Sequence, residues 1–172
     1  VTDRNHGNLA AKKELFVSLD GLNIEQLLAE WRWLVPETMK PLWLNSFGDW
    51  MLEAPDGQIH FLDLLEGAFN CIAPSKRILH EMLQEEENRN RWLMAEWFQI
   101  CNERRLFLAR GQCYGWKVAP IIGGKLEFLN IQVFDIAVYE CIMGQVHRQV
   151  QRLPEGATVT EFRLGDAAKR SS

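Results

Sequence analysis

Phe47-Gly48-Asp49-Trp50-Met51-Leu52-Glu53-Ala54-Pro55-Asp56-Gly57-Gln58-Ile59-His60-Phe61-Leu62-Asp63-Leu64-Leu65-Glu66-Gly67-Ala68-Phe69-Asn70-Cys71-Ile72 is the stretch on which the fold turns. Asp49–Glu53 reads as a short strand. Pro55-Asp56-Gly57 then reads as a turn, because proline presets φ and glycine accepts a positive φ. Gln58–Asp63 is the returning strand, Glu66-Gly67 turns the chain again, and Ala68–Ile72 forms another strand. Short segments joined by tight turns make an antiparallel meander.

Outward from this centre, Leu42-Trp43-Leu44 adds a strand on the N-terminal side. Before it, Asn23 is placed to cap a helix, with Gln26 three residues on completing a capping-box pattern. Ile24, Leu27, Leu28, Trp31 and Leu34 fall on one helical stripe, and Pro36 ends the helix. On the C-terminal side Ser75 caps a helix whose inward face is Ile78, Leu79, Met82 and Leu83. The polar run Glu85–Arg91 reads as a break or an exposed stretch. A helix of about four turns follows, with Leu93, Met94, Trp97, Phe98, Ile100 and Cys101 on a wide apolar face. Cys113–Val118 and Ile131–Ile136 read as strands, joined by a loop through Pro120 and Gly123-Gly124. A last helix runs from about Ala137 to Leu153. Tyr139, Met143, Val146, Val150 and Leu153 are its stripe, while Glu140, Gly144, His147 and Gln151 lie on another face expected nearer solvent. Thr158–Leu164 adds an edge strand. A run of strands followed by helices indicates α+β, an antiparallel β-meander packed against several helices, rather than a βαβ series. The expected organisation is a lead-in over 1–14, one α+β domain over 15–164, and a flexible tail over 165–172.

The composition bounds the function. The 172 residues are enough for a single core, and 47% of them are hydrophobic. Seven Trp and nine Phe supply large buried areas and leave aromatics to spare for a partner surface. A net charge of −4 argues against nucleic acid as the partner and is compatible with a basic one. The polar start Val1–Asn8 lacks the apolar core of a secretory signal, and no run of about 18 apolar residues suggests a membrane span. The four cysteines, Cys71, Cys101, Cys113 and Cys141, are dispersed and form no CxxC pair. They are read as reduced residues of a cytoplasmic protein.

Catalytic patterns fail one by one. Gly123-Gly124-Lys125 lacks the earlier glycine of a phosphate loop, where Ala119 stands, and its hydroxyl residue, where Leu126 stands. There is no Gly-x-Ser-x-Gly elbow. Cys141 and His147, six residues apart on one helix, are turned about 600° and so oppose one another. Cys71 and His60 can meet only if their strands pair. His6, His60, His80 and His147 show no metal-ligand spacing. No cofactor or metal is implied, and the chain is not read as an enzyme. What remains is a set of carboxylates around the hairpins, Asp49, Asp56, Asp63 and Glu66. They suit a partner surface better than acid–base work, because no nucleophile or base accompanies them. Trp50 joins them as a candidate contact, tryptophan being enriched at interface hot spots.

Phe47–Glu53, Asp56–Asp63 and Glu66-Gly67 together resemble the signature stretch of the C-terminal domain family of bacterial type VI secretion DNase-immunity proteins, long catalogued as a domain of unknown function. Cys113-Tyr114-Gly115-Trp116-Lys117, Pro120, Gly123-Gly124 and Asn130–Asp135 resemble its second block, so the likeness spans about residues 40–147. The resemblance implies an immunity-type α+β domain that binds a protein toxin, a nuclease among the candidates, rather than catalysing a reaction. Family members often carry a further N-terminal domain, for which this chain has room only in shortened form before Leu42. A nuclease with a basic cleft would meet Asp49, Trp50, Asp56, Asp63 and Glu66. Two other readings stand beside this one. The first is a small-molecule-binding or enzymatic domain with an aromatic pocket served by His60 or the carboxylates. The second is a homo-oligomer assembled through the Trp-bearing sheet edge or the last helix.

Overall fold

The computed structural model of the chain describes residues 15–153 and 164–165. Its centre is a five-stranded antiparallel sheet in sequential order. The strands are β1 (Phe16–Val17), β2 (Lys40–Asn45), β3 (Trp50–Glu53), β4 (Ile59–Asp63) and β5 (Ala68–Ala73). The meander is as the turn chemistry predicts. Trp50 stands opposite Leu62 and Glu53 opposite Ile59, with the Pro55-Asp56-Gly57 turn between them. Asp63 stands opposite Ala68 across the next turn. Asp56 and Asp63 each cap their own turn, Asp56 accepting from Gln58 N–H and Asp63 from the N–H groups of Leu65 and Glu66.

Consecutive apolar residues such as Trp50-Met51-Leu52 reflect a sheet covered on both faces. Leu44, Trp50, Leu52 and Leu62 pack on one side, in a cluster with Leu27, Leu28, Trp31, Tyr139 and Met143. Met51, Ile59, Phe61 and Ala73 pack on the other, with Leu79, Leu83, Trp92 and Leu93. The first group of helices is α1 (Ile24–Leu28), a following 3-10 turn (Ala29–Trp31) and α5 (Ile136–Val150); the second is α2 (Lys76–Met82) and α3 (Glu86–Leu93). A third cluster, with Phe47, Cys101, Tyr114, Trp116 and Ile131, joins α4 (Ala95–Glu103) to a separate two-stranded ribbon of β6 (Gln112–Trp116) and β7 (Ile131–Asp135). The architecture is mixed α+β.

Caps set the helix starts. Asn23 Oδ1 accepts from Gln26 N–H at 3.2 Å and Ser75 Oγ from Ile78 N–H at 3.3 Å. Asp135 accepts from Ala137 and Val138. Three expectations are corrected. The first helix leaves α geometry at Leu28 and tightens to a 3-10 turn, well before Pro36. The polar run Glu85–Arg91 is largely α3, whose first turn carries Glu86 and Glu87 and whose last carries Arg91, charges that suit the helix dipole. The helix of four turns is instead the shorter α4, nine residues long, because Met94 takes a left-handed conformation and divides it from α3. The edge strand expected at Thr158–Leu164 falls, apart from Leu164, outside the described residues.

Candidate functional site

Asp49 and Trp50 are both buried. Asn45 accepts the Phe47 and Asp49 N–H groups on Oδ1, and its amide nitrogen donates to Asp49 Oδ2 at 2.8 Å and to the Trp92 carbonyl at 3.0 Å. The other oxygen of Asp49 accepts from Leu64 N–H at 2.8 Å. The Asp49 carboxyl therefore ties the β2–β3 turn to the end of β4. Burial, and then the neighbouring Asp63, push it up to about 7, against the pull of the Leu64 and Asn45 hydrogen bonds. The other three predicted residues are reachable from solvent to different degrees: Asp56 and Glu66 are exposed and Asp63 is half-buried. They do not form one patch. Asp56 lies at one end of β4 and Asp63 with Glu66 at the other, across a five-residue strand of about 17 Å.

Of the face of α5 expected near solvent, Glu140, Gly144 and His147 are turned inward, whereas Gln151 is exposed. Glu140 is fully buried and accepts the indole N–H of Trp31 at 2.9 Å and of Trp50 at 2.8 Å, one on each carboxylate oxygen. Burial drives its carboxyl well above the ordinary carboxylate range, aided by Asp49, while the two indoles pull the other way. Gly144 is buried against Glu30. His147 holds the Leu64 carbonyl with Nε2 at 2.7 Å and lies 5.7 Å from the Trp31 ring. Burial lowers its pKa, opposed by the Leu64 bond and by Asp63 and Glu66. Gly67 has a φ of +63°, and a Cβ there would land on the His147 imidazole. Helical periodicity alone placed these polar residues outside. Their partners, the two indoles and the Leu64 carbonyl, come from segments distant in sequence, which is why burial is tolerated. This centre binds the sheet to α5 from inside and is closed to a partner.

His60 and Cys71 do face each other across β4 and β5, yet no hydrogen bond joins them. Cys71 Sγ contacts Gln58 Oε1 at 3.2 Å, and the His60 ring lies 5.1 Å from Phe69 with both nitrogens unpartnered. Burial lowers the His60 pKa. Among the described residues no group of three or more His, Cys, Asp or Glu is arranged to hold a metal ion.

The feature that the sequence reading passed over is the connection between β6 and β7, residues 117–130. Its ends are tied by Lys117 N–H to the Asn130 carbonyl at 2.8 Å. The Asn130 side chain sits at its centre, accepting from Val118 N–H at 3.0 Å and donating to the Val118 and Lys125 carbonyls at 2.8 and 2.9 Å. Gly124 packs so closely that a Cβ would overlap the Val118 carbonyl oxygen. Such a compact loop with pinned ends is an Ω-loop. It nevertheless presents Val118, Ile121, Leu126 and Leu129 at 46, 42, 56 and 77% exposure. Four exposed apolar side chains gathered on one braced loop make it the candidate contact surface. In the sequence these residues obey no helical or alternating period, so pattern reading returned only a loop.

Residues 77–147 match the family model described as "T6SS immunity protein Tdi1, C-terminal". The resemblance read from the sequence is borne out over that segment, which runs from α2 through the Ω-loop into α5. The first motif block, Phe47–Gly67, precedes it. A search of curated proteins returned no match. Among solved structures, the crystal structure of Atu4351 from Agrobacterium tumefaciens is 19% identical with a TM-score of 0.45, covering 72% of this chain and 65% of that one. The chain thus spans just under two thirds of that protein. Among the described residues no helix is long and apolar enough to cross a membrane.

Proposed function

We propose that this chain is an immunity-type domain that acts in the cytoplasm, without catalysis, by binding and neutralising a protein toxin, with the 117–130 loop as its principal contact. The observation that carries the reading is the pairing of two facts. The segment matching the immunity-protein family includes this loop, and the loop holds four apolar side chains outward on a backbone fixed by Asn130. Burying those side chains against a partner gains apolar area, and the Asn130 hydrogen bonds that already brace the loop reduce the ordering cost. A nuclease is the target class that the acidic balance suits. Glu66, with Asp63 behind it, is the acidic element assigned to steer a basic partner. Asp49 and Trp50 contribute by holding the turn above them.

The test is co-expression with the toxins encoded beside the gene. A stoichiometric complex and restored growth are expected, and both should be lost in a Val118→Asp/Leu129→Asp double variant. Because both positions are exposed, far-ultraviolet circular dichroism should match the unmodified chain. A double variant that still binds and still protects would remove the loop from the interface. Absence of any complex with every neighbouring toxin would remove the immunity reading itself.

A further inference from the structure

A second concave feature lies apart from the Ω-loop and from the Glu140 centre. It is a cleft of about 630 Å³ between β1, α4, the 104–111 connection and β6. That volume is in the range of small-molecule sites. Its walls include four aromatic rings, Phe16, Phe98, Phe107 and Tyr114. Phe98 and Tyr114 meet edge to face at 6.2 Å, and the Tyr114 hydroxyl is held by the Leu106 carbonyl at 2.6 Å, so this wall is fixed. Phe107, by contrast, is 64% exposed, an aromatic face left for something to cover.

The polar groups of the cleft are equally specific. Arg110 Nη2 donates to the Asp20 carbonyl at 2.8 Å, which positions the guanidinium. No carboxylate among the described residues forms an ion pair with it. A positioned guanidinium whose remaining N–H groups are uncommitted among the described residues suits a planar anion. The Asn102 carboxamide makes no hydrogen bond to the described residues. Gln112 uses its carbonyl oxygen on Ala109 N–H, leaving its amide N–H groups to donate. The cleft thus offers aromatic walls, one cation and two amides with free donors.

We propose that this cleft is a binding site for a small planar aromatic anion, its ring system stacked on Phe107 and its carboxylate received by Arg110. The site is independent of toxin binding and of the 117–130 loop. The test uses the full chain in a nitrogen-15 NMR titration with two probes of one shape, 2-naphthoate and the neutral 2-naphthalenemethanol. Naphthoate should bind saturably, with shifts confined to the neighbourhood of Ser18, Asn102, Arg110 and Gln112, and at least about ten-fold tighter than the alcohol. Arg110→Gln should bring naphthoate down to the affinity of the alcohol while leaving the alcohol unchanged. Phe107→Ser, at an exposed position that the fold does not need, should weaken both. Equal affinity of the two probes, discrimination that survives Arg110→Gln, shifts scattered elsewhere, or no saturable binding at all would each overturn the assignment.

Discussion

Replacing Glu140 by Gln tests the polar centre through its pH dependence. In the folded chain the Glu140 carboxyl is held well above the ordinary range, chiefly by burial, whereas in the unfolded chain it titrates near ~4.3. A raised folded value means that the folded state binds the proton more tightly. The associated stability is therefore fully present below the unfolded value and is lost as pH rises toward the folded one. Each pH unit inside that window removes up to about 1.4 kcal/mol. Between pH 7 and 8 the comparison with the Gln variant isolates this group, because the other shifted groups are common to both proteins. Asp49, pushed up to about 7, is still losing its proton there and adds to the slope of both proteins alike. His147, whose folded value is lowered, affects stability only as pH falls below its unfolded value near ~6.5. For a chain of this size about 1.4 kcal/mol corresponds to a fall in melting temperature of roughly 3–5 °C. Glu140→Gln removes this titration and should show a shallower slope over the same interval. It starts from a lower stability, by about 1–3 kcal/mol, because an amide can accept from one indole but presents N–H groups to the other. The gap between the two proteins should therefore narrow from pH 7 to 8. Differential scanning calorimetry at constant ionic strength, with near-ultraviolet circular dichroism to confirm that Trp31 and Trp50 keep their environment, reads both effects. An unmodified chain whose melting temperature is flat across this interval, or a Gln variant that keeps the slope, would refute the argument.

Three further perturbations follow from the same geometry. Gly67→Ala places a Cβ on the His147 ring at a positive φ; about 2–4 kcal/mol of destabilisation is expected from left-handed strain and the lost Leu64 bond, and a loss under 1 kcal/mol by urea unfolding would contradict the close packing. Asn130→Ala removes three hydrogen bonds from the Ω-loop, so amide exchange should accelerate across residues 118–129 while the meander stays protected; an unchanged loop would mean that Asn130 does not hold it. Glu66→Lys should slow association with a basic toxin several-fold at low salt, whereas Asp56→Lys, at the far end of β4, should change it far less; equal effects in stopped-flow measurements would deny a local steering role to the Glu66 turn.

The meander was legible because each turn carries its own chemistry. Pro55-Asp56-Gly57 and Asp63 with Gly67 fix where the strands begin and end without reference to anything distant. The same holds for the helix starts at Asn23 and Ser75. Where the outcome depends on distant partners, periodicity misleads. Glu85–Arg91 is polar enough to suggest a break, yet it forms most of a helix that needs only Trp92 and Leu93 to anchor it. The division at Met94 depends on a left-handed conformation that no glycine announces.

Glu140 and His147 show the limit most clearly. A carboxylate and an imidazole three or four residues from apolar positions look like the wet side of an amphipathic helix. Their burial becomes tolerable only because Trp31, Trp50 and the Leu64 carbonyl converge on them. The same logic redistributes the predicted contact residues. Asp49 and Trp50 were singled out for their chemistry, charge and aromatic area, and that chemistry is spent inside on Asn45, Leu64 and Glu140. Apolar residues of the Ω-loop went unremarked for the opposite reason. Val118, Ile121, Leu126 and Leu129 would ordinarily be drawn into a core, and only a loop braced from within, by Asn130 and by the close passage of Gly124, can keep them out. A buried acid and an exposed leucine are thus two halves of one exchange. The chain commits its best polar contacts to its interior, and the loop surface proposed for a partner is apolar and braced by Asn130.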